Sequence, residues 1–137
     1  MLLEKQLFDD LSKKLGSDYY TCLYLAKLAR NQRTQLNNLI SESEALTWAL
    51  TNKLPDDLDD RIRAKSASLK NIEDILNYVE DAQVQNAARQ SFRDSIECEH
   101  LVYNYLKVSD SSKQARVRIL TRIMFHRFKE DNKNANS

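Results

Sequence analysis

The sequence predicts an all-α protein, and three observations carry that prediction. The 137 residues include one glycine, Gly16, and one proline, Pro55, where average usage would give roughly ten and seven. Strong helix formers (Leu, Ala, Lys, Gln and Glu) recur throughout. Apolar residues return every third or fourth position instead of alternating. Turn-rich sheets are hard to build from such a chain. The shortage of glycine also excludes a P-loop and a Rossmann fingerprint, which need glycines where backbone approaches phosphate.

The first helix follows from Leu3, Leu7, Leu11 and Leu15, with Phe8 beside them; this spacing lays an apolar stripe along one side. Gly16 ends it, because glycine readily takes the left-handed backbone of a helix C-terminus. Ser17 and Asp18 are N-cap residues for a second helix, from about Tyr19 to Leu39 or Ile40. Its first half, Tyr19 to Ala29, is apolar nearly all round, which predicts burial on more than one side. Its second half, Arg30 to Asn38, is polar and is expected to face water. Tyr19, Tyr20 and Tyr24 are expected to serve packing more than base stacking. Ser41 and Glu44 have capping-box spacing, so a short helix runs from Glu42 to about Thr51. Pro55, with Asp56-Asp57 and Asp59-Asp60 around Leu58, marks a soft boundary.

Beyond the boundary, Ile72, Ile75, Leu76 and Val79 keep helical spacing, continued by Ala82, Ala87, Ala88, Phe92, Ile96, Leu101 and Leu106. One helix from Leu69 to Lys107 would be about 58 Å long at 1.5 Å per residue, so a break is expected in the polar stretch Gln83 to Asn86. Ser109-Asp110-Ser111-Ser112 is a turn, and a last helix covers about Lys113 to Lys129. The domain organisation is therefore a short-helix core over 1–55, a long hairpin-like helical extension over 56–130, and a disordered tail over 131–137.

The net charge is +1, unevenly spread: residues 1–60 hold 7 basic and 10 acidic side chains, residues 61–137 hold 14 and 10. Residues 113–129 carry six basic groups and no acid. Arg118, Arg122 and Lys129 follow one stripe with Phe125 between them; Arg116 and Arg127 lie to another side, and Val117, Leu120, Met124 and Phe128 form the buried face. Such a helix could bind phosphates in a salt-dependent way, which would make the chain a free-standing nucleic-acid-binding regulator using Arg116, Arg118, Arg122, Arg127 and Lys129. The alternative is that it packs antiparallel to residues 73–99, where seven acids face two arginines.

No catalytic constellation emerges, so no enzyme is expected. Cys98-Glu99-His100 offers two soft ligands, and Cys22 and His126 add no recognisable spacing, so no metal or other cofactor is predicted. His126, beside Phe125, has the placement of a helix-surface histidine. Tyr103 and Tyr105 point to different faces. The two cysteines are far apart, no run approaches the roughly 18 apolar residues of a membrane span, and no secretory segment is visible. These features lead to the expectation of reduced thiols in an untargeted cytoplasmic protein with no membrane partner and no small-molecule substrate.

Residues 8–30, Phe-Asp-Asp-Leu-Ser-Lys-Lys-Leu-Gly-Ser-Asp-Tyr-Tyr-Thr-Cys-Leu-Tyr-Leu-Ala-Lys-Leu-Ala-Arg, resemble the start of the bacterial RNA polymerase omega subunit. In that family a short helix bearing an Asp ends in Lys-Ile/Leu-Gly, followed by an aromatic residue and an apolar run closing on Ala-Arg. Asp10, Leu11, Lys14, Leu15, Gly16, Tyr19, Ala26, Lys27, Ala29 and Arg30 stand at those places without a gap. A second block, Ala45-Leu46-Thr47-Trp48-Ala49-Leu50-Thr51-Asn52-Lys53-Leu54, is similar to omega's next helix, with Asn52 where glycine is usual. Leu28 replaces a usual arginine, and Thr47 and Trp48 replace paired acids. The resemblance covers about residues 7–54 and none of residues 60–137. It implies a non-catalytic accessory subunit that clasps the beta-prime subunit and supports polymerase assembly, through Tyr19, Leu23, Ala26, Lys27, Ala29, Arg30, Ala45, Leu46 and Lys53. The residues agree with a docking role in their own right. Short helices with a segment as apolar as Tyr19 to Ala29 expose more apolar area than they can cover. Ala26 and Ala29 leave room for close approach, and Arg30 can pair with a carboxylate or carbonyl.

Overall fold

A computed structural model describes residues 2–97 and 111–135. The protein is all-α: seven helices and no strand among the described residues. They are α1 (Leu2–Leu15), α2 (Asp18–Gln35), α3 (Glu42–Thr51), α4 (Leu58–Ser68), α5 (Ile72–Asn77), α6 (Ala82–Glu97) and α7 (Ser111–Ala135). They divide into two compact units, Met1–Asp56 and Asp57–Ser137.

In the first unit, local chemistry sets each helix end. Gly16 has φ +90° and donates its N–H to Ser12 O at 2.8 Å, closing α1. The Ser17 hydroxyl accepts from the Tyr20 N–H at 3.1 Å and opens α2. Both bonds of the Ser41–Glu44 capping box form, at 3.2 and 2.9 Å. Asn52 ends α3 with φ 59°; asparagine tolerates this left-handed conformation better than other non-glycine residues. The three helices pack mutually, α1 on α2 and α3, and α2 on α3.

Two sequence expectations for α2 are corrected. The helix ends at Gln35, not at Leu39 or Ile40, because Asn37 and Asn38 both turn left-handed (φ 53° and 60°). Arg33 Nε then donates to Ile40 O at 3.0 Å across the turn. The end of α2 is also not all in water: Gln32, Leu36 and Asn37 are buried.

The second unit is built around α7, which packs on α4, α5 and α6. Its core joins Ile62 of α4, Ile75 and Leu76 of α5, Val84, Ala88 and Phe92 of α6, and Val117, Ile119, Leu120, Ile123 and Met124 of α7, all buried. Phe92 meets Phe125 and Phe128 edge-on, with centroids 5.3 and 5.7 Å apart.

Helix α4 has no counterpart in the sequence reading. The expected break at Gln83–Asn86 falls earlier, at residues 78–81, because the Asp81 carboxylate caps α6, accepting from Gln83 N at 2.9 Å and Val84 N at 3.3 Å. The tail predicted over 131–137 is helical through Ala135, extended by an Arg127–Asp131 ion pair one turn apart at 3.3 Å. Cys98, His100, Tyr103, Tyr105 and the turn at Ser109 and Asp110 lie outside the described residues.

Candidate protein-docking face

Helix α2 buries one side only. Thr21, Leu25, Ala29 and Gln32 follow each other at helical spacing and are buried. On the other side Tyr19 is 70% exposed and Leu23 52%, and Tyr20, Cys22, Tyr24, Ala26, Lys27 and Arg30 are exposed too. The expectation of burial on several sides is corrected within this unit, and the tyrosines stand outside its core. Tyr19 and Tyr20 instead touch edge-to-face, centroids 5.8 Å apart, on the surface.

The two units differ sharply in how they dispose of apolar residues. Among the described residues the first buries Leu25, Ala29, Leu36, Ile40 and Ala45, while exposing Leu3, Leu15, Tyr19, Tyr20, Leu23, Tyr24, Leu46 and Leu54. Among its described residues the second exposes one large hydrophobic residue, Ile96. Small units are marginal because surface outweighs core, and four of these eight exposed apolar residues of the first unit, Tyr19, Tyr20, Leu23 and Tyr24, lie on α2.

Beside this face, α2 and α3 enclose a shallow concavity of about 280 Å3, lined by Ala26, Ala29, Arg30, Arg33, Thr34, Asn38, Glu42 and Leu46. It brings together four of the residues singled out in the sequence: Ala26, Ala29, Arg30 and Leu46. Arg33 and Glu42 at its rim approach each other to 3.7 Å. Sequence reasoning missed Arg33, Thr34, Asn38 and Glu42. Arg33 was findable, since it lies seven residues from Ala26 and four from Ala29, on the same flank.

The remaining docking candidates divide. Ala45 is fully buried and cannot touch a partner; its methyl belongs to the unit's core. Ala29, 6% exposed, is floor more than contact surface. Both corrections follow from α3 lying against α2, where small residues permit close approach. Lys53 is exposed but lines a different hollow, with Ser43, Thr47, Leu54 and Pro55.

The basic candidates on α7 are largely engaged within their own unit. Arg116 Nη1 lies 3.4 Å from Asp81 Oδ2, with Lys113 Nζ 4.0 Å from the same oxygen. Arg122 pairs with Asp59 of α4, and Arg127 with Asp131. Arg118 and Lys129 are exposed. Phe125 does not complete a basic stripe, because its ring packs on Phe92. Burial pushes the Asp81 carboxyl up, but the Val84 and Gln83 N–H groups, with Lys113 and Arg116, outweigh it and hold it below the usual value.

Among the described residues, no group of three or more His, Cys, Asp or Glu could hold a metal, and no helix is long and apolar enough to cross a membrane. Comparison with protein-family models, curated proteins and solved structures finds no match in any of the three.

Proposed function

We propose that this protein is a non-catalytic, omega-like accessory subunit of a cytoplasmic DNA-dependent RNA polymerase, docking on the beta-prime subunit through the outer face of α2 and the adjoining edge of α3. The observation that carries this reading is the exposure of Tyr19 and Leu23 on the same stripe of α2 as Ala26, which together with Leu46 lines a shallow hollow, within the segment that resembles omega. Covering half-exposed side chains of this size yields about 1 kcal/mol each at 25 cal/mol per Å2, so a few contacts together give useful affinity. Arg30 at the rim supplies a directional contact to a carboxylate or backbone carbonyl. The helices contribute shape and apolar area, and the chemistry of transcription belongs to the partner.

The test is co-purification of the tagged full chain with the core polymerase of its own organism. The wild-type chain is expected to retain beta-prime, and Ala26→Trp to lose it, because the ring fills the hollow. Ile96→Asp, on an exposed position of the second unit, is expected to bind normally. A wild-type chain that fails to retain beta-prime overturns the reading.

A further inference from the structure

We propose that the outer face of α2 also closes on a second copy of the same chain, antiparallel and about a twofold axis, forming a weak homodimer. This goes beyond the polymerase reading and does not depend on it.

The argument begins with spacing. Tyr19, Leu23, Ala26 and Arg30 are exposed and lie four, three and four residues apart, one stripe along the helix. That interval pattern is the same read in either direction. When a second α2 is laid against the first in reverse, Tyr19 falls opposite Arg30 and Leu23 opposite Ala26. The twofold repeats both pairings, as an isologous interface requires.

Each pairing is chemically complementary. A guanidinium over a tyrosine face is a favourable cation–π contact. A leucine against an alanine is a large side chain meeting a space, and here the space is real: Ala26 borders the hollow that Ala29 floors and Leu46 walls. The charges agree as well. Asp18 stands in the first turn of α2, whereas Lys27 and Arg30 lie in its second half; Arg33, farther on, is already held by Glu42 and the Ile40 carbonyl. Reversal therefore brings the acidic end of one helix to the basic end of the other and opposes the two macrodipoles favourably. Parallel pairing would set Arg30 against Arg30 and leave Ala26 facing Ala26 across a gap.

The stripe spans eleven residue steps, about 16 Å at 1.5 Å per residue. A contact this short belongs with the small, weak complexes; a dimer with a micromolar Kd is expected, which leaves the face exchangeable with another partner.

The test uses the full chain with Cys22→Ser and Cys98→Ser, into which Tyr19→Cys or Arg30→Cys is introduced separately. A disulfide needs Cα atoms within about 7 Å. Antiparallel pairing therefore predicts a cross-linked dimer only when the two variants are mixed, with the second Tyr19–Arg30 pair left intact in it. Cross-linking of either variant with itself, or of neither combination, overturns the arrangement. Sedimentation equilibrium of the unmodified chain at about 0.1 mM, well above a micromolar Kd, is expected to show dimer, weakened tenfold or more by Arg30→Glu. A chain that stays monomeric overturns the proposal, and if that monomer still retains beta-prime, the docking reading stands without it.

Discussion

Asp81 ties the start of α6 to α7: one carboxylate oxygen accepts from the N–H groups of Gln83 and Val84, and the other lies 3.4 Å from Arg116 Nη1. The residue that starts α6 is thus also the acid that answers part of the basic charge on α7. Asp81→Ala is expected to destabilise the second unit by about 0.5–2 kcal/mol, the range for losing an N-cap, with the ion pair to Arg116 lost as well. Asp81→Asn keeps the cap and loses only a partly exposed ion pair, for which less than about 1 kcal/mol is expected. Urea unfolding of both variants checks this; equal losses would show that the ion pair, not the cap, dominates.

Gly16 gives a test of conformation with little else mixed in. Its φ is +90°, and a Cβ built there meets nothing within 4 Å. Gly16→Ala is therefore expected to cost about 1 kcal/mol through backbone strain alone, with Gly16→Asn milder, because asparagine tolerates the left-handed region. Thermal melts of the three proteins rank them; an alanine variant as stable as wild type would contradict the φ assignment.

The parts legible in the sequence are those whose signal is local. The Ser41–Glu44 box, the Ser17 cap, the Gly16 stop and the Asn52 stop each rest on a bond between residues no more than four positions apart. The end of α2 was misplaced because two consecutive left-handed asparagines, Asn37 and Asn38, outweigh a periodicity that continues to Ile40. Helix α4 was missed because its core contribution is Ile62 and Ser66, too few to show a period among the surrounding aspartates. Pairs such as Asp57–Arg61, at 3.1 Å one turn apart, were its available signal. The hollow between α2 and α3 was legible only in part. Ala26, Ala29 and Arg30 are near neighbours in sequence, but that Ala45 lies inside and Leu46 outside depends on how α3 rotates against α2.

Two leucines with opposite surroundings test whether the apolar face is open. Leu120 is fully buried on α7, whereas Leu23 is half exposed on α2. Leu120→Ala is expected to cost about 2–5 kcal/mol, and Leu23→Ala to stay within about 0.5 kcal/mol. By the same reasoning Ala29→Trp and Ala45→Trp should unfold the first unit by overpacking, while Ala26→Trp, at an exposed position, leaves the circular dichroism spectrum unchanged. A costly Leu23→Ala in the isolated chain would show the face to be already covered.

His126 sets a pH dependence with a definite sign. Burial is the first cause that lowers its pKa below the ordinary 6.5, followed by the positive charges of Arg63, Lys129 and Arg122, with Asp59 opposing. Above 6.5 the ring is neutral whether the chain is folded or not, and the folded state keeps its full advantage. As pH falls below that value the unfolded chain takes up a proton that the folded chain resists, so stability declines until the folded-state pKa is passed. The urea midpoint of the second unit is expected to drop between about pH 7.5 and about pH 5.5, which bracket the ordinary imidazole value. In His126→Gln, which has no proton to take up in that window, the drop should be smaller. If the two proteins lose stability in parallel, the titrating group lies elsewhere. If wild type gains stability on acidification, Asp59 outweighs the cations around the ring.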